Sequence, residues 1–123
     1  MSFKNSPLCN KYLTIFLILQ LTNKLYYWNT TSFARHKTTY QFNDVIGNFI
    51  DKFVEFYIGR YNIKPNINSI NIDKKYLTDT GFVSFFQLIK NILDDFNINA
   101  KDILTIKDEL LGGVTMLYLL NLN

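Results

Sequence analysis

The side chains able to do acid–base, nucleophilic or metal chemistry are few in this chain: one histidine, one cysteine and ten carboxylates. A nucleophilic Cys9 needs a base beside it, and the single histidine, His36, sits in a different segment, so Cys9 reads as a small apolar filler. The chain has no Ser-His-Asp set, no phosphate-cradling loop and no dinucleotide fingerprint, which argues against hydrolase, kinase and dehydrogenase chemistry. One Cys and one His fall short of the four ligands of a structural zinc site. An intra-bundle di-iron site is excluded too: the segment from Pro7 to Trp28 contains no Asp or Glu, and Glu109 is followed three residues later by Gly112 instead of His. Tyr26, Tyr27 and Trp28 invite base stacking, but aromatics closing a buried helix read first as packing.

The reactive residues that do gather lie between Tyr26 and Tyr61, in YYWNTTSFARHKTTYQFNDVIGNFIDKFVEFYIGRY. At about 100° per residue, Phe42, Val45, Ile46, Phe49, Phe53, Phe56 and Tyr57 fall on one stripe, the apolar face of an amphipathic helix. His36, Tyr40, Asp44, Asp51 and Glu55 fall opposite, provided the helix starts early enough to include His36. Gly47, Val54 and Ile58 share that outward side. Carboxylates mixed with branched aliphatics away from a core describe a surface that meets another subunit, so an oligomer is expected.

Three more helices must frame this one. Ser6 and Pro7 predict a helix start, with Pro7 at the first helical position and Leu8, Tyr12, Ile15, Phe16, Leu19 and Thr22 or Asn23 at helical spacing toward Trp28. Lys4 and Lys11 ahead of the apolar run imitate a secretory signal, but no small-x-small cleavage site follows, and the run is too short to span a bilayer. Asn29 to Ser32 is a short polar link, which sets the first two helices antiparallel. Gly59 is a candidate C-cap for the second helix. From Asn62 to Asp79 the alternation in INSINI hints at a strand that would have no partner, so an extended crossover is preferred. A third helix runs from Thr78 or Asp79 to just before Asn97 on Phe82, Phe85, Phe86, Ile89, Ile92, Leu93 and Phe96. A fourth runs from Asn99 or Ala100 to about Leu120, with Gly112-Gly113 permitting close contact or a kink. Short link, long crossover, short link is the pattern of a ferritin-like, all-α four-helix bundle.

With 123 residues, 48% of them hydrophobic, the chain supports one core and one domain over residues 1–123. A net charge of +3 with scattered Lys and Arg leaves no strong nucleic-acid footprint. The richness in Asn, Ile, Lys, Tyr and Phe is what an AT-rich genome imposes. The lone cysteine fits a reducing, intracellular compartment.

The segment YYWNTTSFARHK, followed by Asp51 and Glu55 in FIDKFVE, resembles the Dps-like branch of the ferritin superfamily. It is more similar still to uncharacterised virus and phage proteins with an aromatic/His-Trp-x-Thr segment, then Ala-x-His-Lys, then Asp-x-x-x-Glu. The resemblance is best over Leu21 to Tyr61 and weaker over Ala100 to Leu119. It implies an inter-subunit ferroxidase site with a His at Tyr27, a His at His36, an acid at Tyr40, and carboxylates at Asp51 and Glu55. Three of the five positions keep a ligand type; the two tyrosines would hold iron only weakly. What remains is a metal site of His36 with Asp51 and Glu55 of a facing subunit, with iron as the only candidate cofactor. Otherwise Asp51 and Glu55 are surface carboxylates paired with Arg35, Lys37 or Lys52, and His36 caps or hydrogen-bonds. The expected function is a non-catalytic, self-associating structural module, a viral or virion protein that docks onto its own copies or other viral structural proteins, with no membrane. The alternatives are a Dps-like iron-binding or iron-oxidising protein and, behind it, sequence-independent DNA binding by a basic rim of Lys4, Lys11 and Lys64.

Overall fold

In a computed structural model, residues 2–96, 101, 104–105 and 107–113 are described, and their regular structure is entirely helical. Helix α1 spans Ser2–Asn29, α2 Phe33–Tyr61 and α3 Asp79–Asp95, with a single 3₁₀ turn at Lys74–Leu77. The helix expected to begin at Pro7 begins earlier and carries Pro7 inside it. The link to α2 is the polar one expected. Ser32 Oγ accepts from the Arg35 N–H at 3.3 Å, capping the new helix so that His36 lies in its first turns. Gly59 is not the C-cap. Helix α2 continues two residues further to Tyr61, and Asn62, at φ 53°, takes the left-handed position while its N–H returns to Ile58 O at 3.0 Å.

The helices pair as their apolar faces dictate. Phe42, Ile46, Phe49, Phe53 and Tyr57 of α2 are buried as the stripe predicts, joined by Thr39 and Ile50. On α1 Phe16, Leu19, Thr22 and Asn23 are buried as expected, joined by Cys9, Leu13, Tyr26 and Tyr27, while Tyr12 and Ile15 are only half-buried. Phe16 sits at the middle of the core, edge-on to Phe49, Phe53 and Phe96 at 4.7, 5.1 and 5.6 Å. Asn23 Nδ2 donates to Thr39 O at 2.9 Å and Tyr27 packs on His36, so the C-terminal end of α1 lies beside the start of α2 and the two run antiparallel.

Residues 62–73 contain no strand; INSINI is extended chain, as preferred. Near its start the Asn66 N–H donates to Asn10 Oδ1 at 3.0 Å, and at its far end Asp79 meets Tyr26, so the segment travels the length of α1. Helix α3 then opens on Thr78, whose hydroxyl accepts from the Gly81 N–H at 3.0 Å. It returns alongside α1 from Phe82, stacked on Tyr26 at 3.8 Å, to Phe96, against Tyr12 at 4.8 Å. Residues 107–113 are helical; Lys107 Nζ donates to Phe96 O at 2.8 Å and Gly113 lies against the Phe42 ring, so this piece runs opposite to α3. The remainder of the expected fourth helix falls outside the described residues.

Candidate functional site

His36 and its neighbours form the outward corner where α1 ends and α2 begins. Its Nδ1 is 2.6 Å from the Tyr27 carbonyl oxygen. A carbonyl only accepts, so Nδ1 is the nitrogen that carries hydrogen, and the neutral ring keeps its lone pair on Nε2. Tyr40, one turn along α2, lies nearly parallel to the imidazole at 6.3 Å; Tyr27 meets His36 and Tyr40 edge-on at 5.7 and 5.6 Å and touches Trp28. Burial pushes the Tyr27 phenol up, with Tyr40 and Asp44 adding to the effect, so Tyr27 stays a neutral phenol at physiological pH.

Asp51 and Glu55 are exposed on the same outward side of α2. They follow His36 by 15 and 19 positions on one continuous helix, roughly 22 and 28 Å at 1.5 Å per residue. Three of the five positions singled out by the resemblance, Tyr27, His36 and Tyr40, are thus together within one chain, and the acidic pair stands well apart from them. Among the described residues no three His, Cys, Asp or Glu side chains come close enough to hold a metal. Tested against iron, the ligand set within one chain does not fit: the corner offers one imidazole, two phenols and the nearby Asp44 carboxylate, short of the three His, Cys, Asp or Glu side chains that could hold the metal. The simpler reading is met in part: Asp51 and Glu55 are exposed and His36 hydrogen-bonds to Tyr27 O, but among the described residues neither carboxylate forms an ion pair with Arg35, Lys37 or Lys52.

Arg35 belongs to a polar knot that periodicity did not reveal. Tyr26 OH donates to Asp79 Oδ1 at 2.5 Å, Arg35 Nη1 donates to Tyr26 OH at 3.1 Å and to Asp79 O at 3.2 Å, and Thr30 Oγ1 reaches Asp79 Oδ1 at 3.3 Å. Three segments are tied together there: the end of α1, the start of α2 and the first residue of α3. Only the acidic residue in the first turn of α3 signalled it, since a carboxylate is favoured there.

The other candidates resolve individually. Tyr26 and Tyr27 are buried, so of the aromatic triplet Trp28 alone is open to a ligand. Cys9 is fully buried and its thiol is pushed up by burial, which suits a filler. Lys11 and Lys64 are exposed, near the end of the molecule where Asn10 meets Asn66; the Lys4 side chain is outside the described residues. Among the described residues no helix is long and apolar enough to cross a membrane. An apolar groove of about 220 Å³ opens between Ile15 and Ile18 of α1, Tyr76, and Phe85, Leu88 and Ile92 of α3.

A family model covers residues 27–120, from the aromatic corner through the last apolar segment, and the chain belongs to that family, described as a family of unknown function (DUF5856). No curated protein and no solved structure matches the chain.

Proposed function

We propose that this protein is a non-catalytic structural module that associates with its own copies, built as a ferritin-like bundle whose relatives' oxidase site is degenerate here. The observation that carries the reading is the separation of His36 from Asp51 and Glu55 along one helix, with both acids exposed and, among the described residues, in no ion pair. The ferritin-like order is supported by an antiparallel α1–α2 pair, a long connection along α1, an α3 parallel to α2, and a reversed piece at residues 107–113. The sequence resemblance over Leu21 to Tyr61 supports it independently.

The second reading, metal binding across two subunits, is favoured by one detail: the hydrogen bond to Tyr27 O fixes the His36 tautomer and leaves Nε2 for a ligand, as in metal-bound histidines. The purified protein, given Fe(II) under air and followed by ferric absorbance, separates the two readings. The structural reading expects the wild type and His36→Ala to match buffer. Oxidation above buffer in the wild type that disappears in His36→Ala would establish the metal reading instead. Binding to duplex DNA through Lys11 and Lys64 is tested by a gel shift across a salt series, because phosphate contacts weaken steeply with ionic strength.

A further inference from the structure

The end of the molecule where α1 passes into α2 carries the chemistry of a membrane-surface contact, and we infer that it docks on an anionic lipid bilayer, seating Trp28 and Phe33 among the headgroups. The inference does not depend on the self-association proposed above. From Leu25 to Ala34, in LYYWNTTSFA, no residue carries a charge, and the stretch is bounded by Lys24 on one side and by Arg35 and Lys37 on the other. The fold turns this stretch into a hairpin tip, made of the last turn of α1, the link Thr30-Thr31-Ser32 and the first residues of α2. Two of its rings are far more open than their type prefers: Trp28 is 64% exposed and Phe33 78%. Trp28 lies one residue before the end of α1 and Phe33 is the first residue of α2, so both stand at the extremity of the hairpin, with only an amide and hydroxyls between them.

Charge decides what the tip meets. The carboxylates nearest to it are already taken: Asp79 by Arg35 at 3.7 Å and by Tyr26, and Asp73 by Lys75 at 3.5 Å. Asp44, the next acid along α2, stands about 16 Å beyond Phe33. Lys24, Lys37 and Lys74, the last in the 3₁₀ turn that leads into Asp79, form no ion pair among the described residues. An uncharged aromatic tip thus carries a cationic collar. Indole and phenyl rings settle at headgroup depth, lysine stems reach the lipid phosphates, and an anionic leaflet attracts such a collar. A nucleic-acid strand would meet the same charge, but base stacking wants rings lining a channel that tracks the strand. Here the rings crown a turn, a shape that a plane receives. Among the described residues no helix is long and apolar enough to cross a bilayer, so the contact is peripheral. This departs from the sequence-based expectation that no membrane is involved, and the exposure of Trp28 and Phe33 is the reason.

Trp28 is the only tryptophan, so its fluorescence reports on the tip directly. With vesicles of mixed phosphatidylcholine and phosphatidylserine the protein should co-sediment, its emission should shift to the blue, and lipids brominated on the acyl chains should quench it. Pure phosphatidylcholine vesicles should bind about tenfold less or weaker, and added salt should weaken the binding to the mixed ones. Phe33→Asp should lower binding to the mixed vesicles about tenfold or more, and Lys24→Glu/Lys37→Glu by a similar factor. Ile58→Asp makes the same kind of change at an exposed residue about 37 Å further along α2, and should leave binding within about twofold. Phe33, Lys37 and Ile58 are exposed, so these substitutions leave the core intact. Vesicles that leave the Trp28 emission unchanged, or binding that Phe33→Asp and Ile58→Asp weaken equally, overturn the proposal. So does a blue shift that needs no vesicles and grows with protein concentration, which would assign the tip to a second copy. Quenching by a single-stranded oligonucleotide without vesicle binding also overturns it, and would assign the tip to nucleic acid.

Discussion

Tyr26, Arg35 and Asp79 carry more of the architecture than their separate chemistry suggests, because each is on a different helix and none can satisfy its polar atoms alone. Tyr26 is fully buried, so removing the Asp79 acceptor leaves its hydroxyl and the Arg35 guanidinium with poorer partners. Asp79→Ala should lower stability by about 1–3 kcal/mol in urea denaturation, and Asp79→Asn, which keeps an acceptor oxygen, by less. Tyr57 gives a pH prediction. Burial, with smaller contributions from Cys9, Tyr61 and Tyr12, pushes its phenol up to about 12. The phenol is raised in the folded state, so the unfolded chain loses this proton first as pH rises. Its contribution is therefore complete below pH about 10 and is lost toward pH about 12, on the order of 2–3 kcal/mol. Tyrosinate absorbance and helical circular dichroism should then rise and fall together in that window, and Tyr57→Phe should retain helicity to higher pH.

At the scale of the element, two glycines that look equivalent in sequence behave oppositely. Gly59 lies inside α2 with nothing near a would-be Cβ, so Gly59→Ala should raise stability by about 0.5–1 kcal/mol. A Cβ on Gly113 would enter the Phe42 ring, so Gly113→Ala should destabilise despite its better helix propensity. Thermal unfolding of the two variants side by side checks the pair. Phe16→Ala, which empties the centre of the aromatic core, should cost about 3–5 kcal/mol. Much of this level was legible in the sequence. The apolar stripe of α2, the polar link before Phe33 and the start of α3 follow from local rules of period and capping. The buried face of α1 was legible only in part: Phe16, Leu19, Thr22 and Asn23 are buried as their spacing predicts, but Tyr12 and Ile15 give way to Leu13 and Tyr26, because the helix is apolar on several sides and its neighbours decide which counts as inside. The end of α2 was misplaced for a similar reason: Asn62 competes with Gly59 for the left-handed position, and the continuing contacts of Tyr57 and Tyr61 favour the longer helix.

For the whole molecule, the proposed self-association has a thermodynamic signature: the midpoint of thermal unfolding should rise with protein concentration, since association draws the equilibrium toward the folded state, and a midpoint independent of concentration would count against it. The metal reading requires the same association, since no single chain brings the His36 corner and the acidic pair together.

By itself the sequence determined the helical class, the inward stripe of α2 and the outward position of His36, Asp51 and Glu55, because all three follow from a period of 3.6 along one segment. It also limited the chemistry by supplying a single imidazole. Only the tertiary structure decided that Arg35 is taken by Tyr26 and Asp79, that Tyr27 fixes the His36 ring, and that Asp51 and Glu55 meet no cation among the described residues. Those outcomes depend on contacts between residues dozens of positions apart, and no local pattern encodes which of several possible partners a charged side chain will meet.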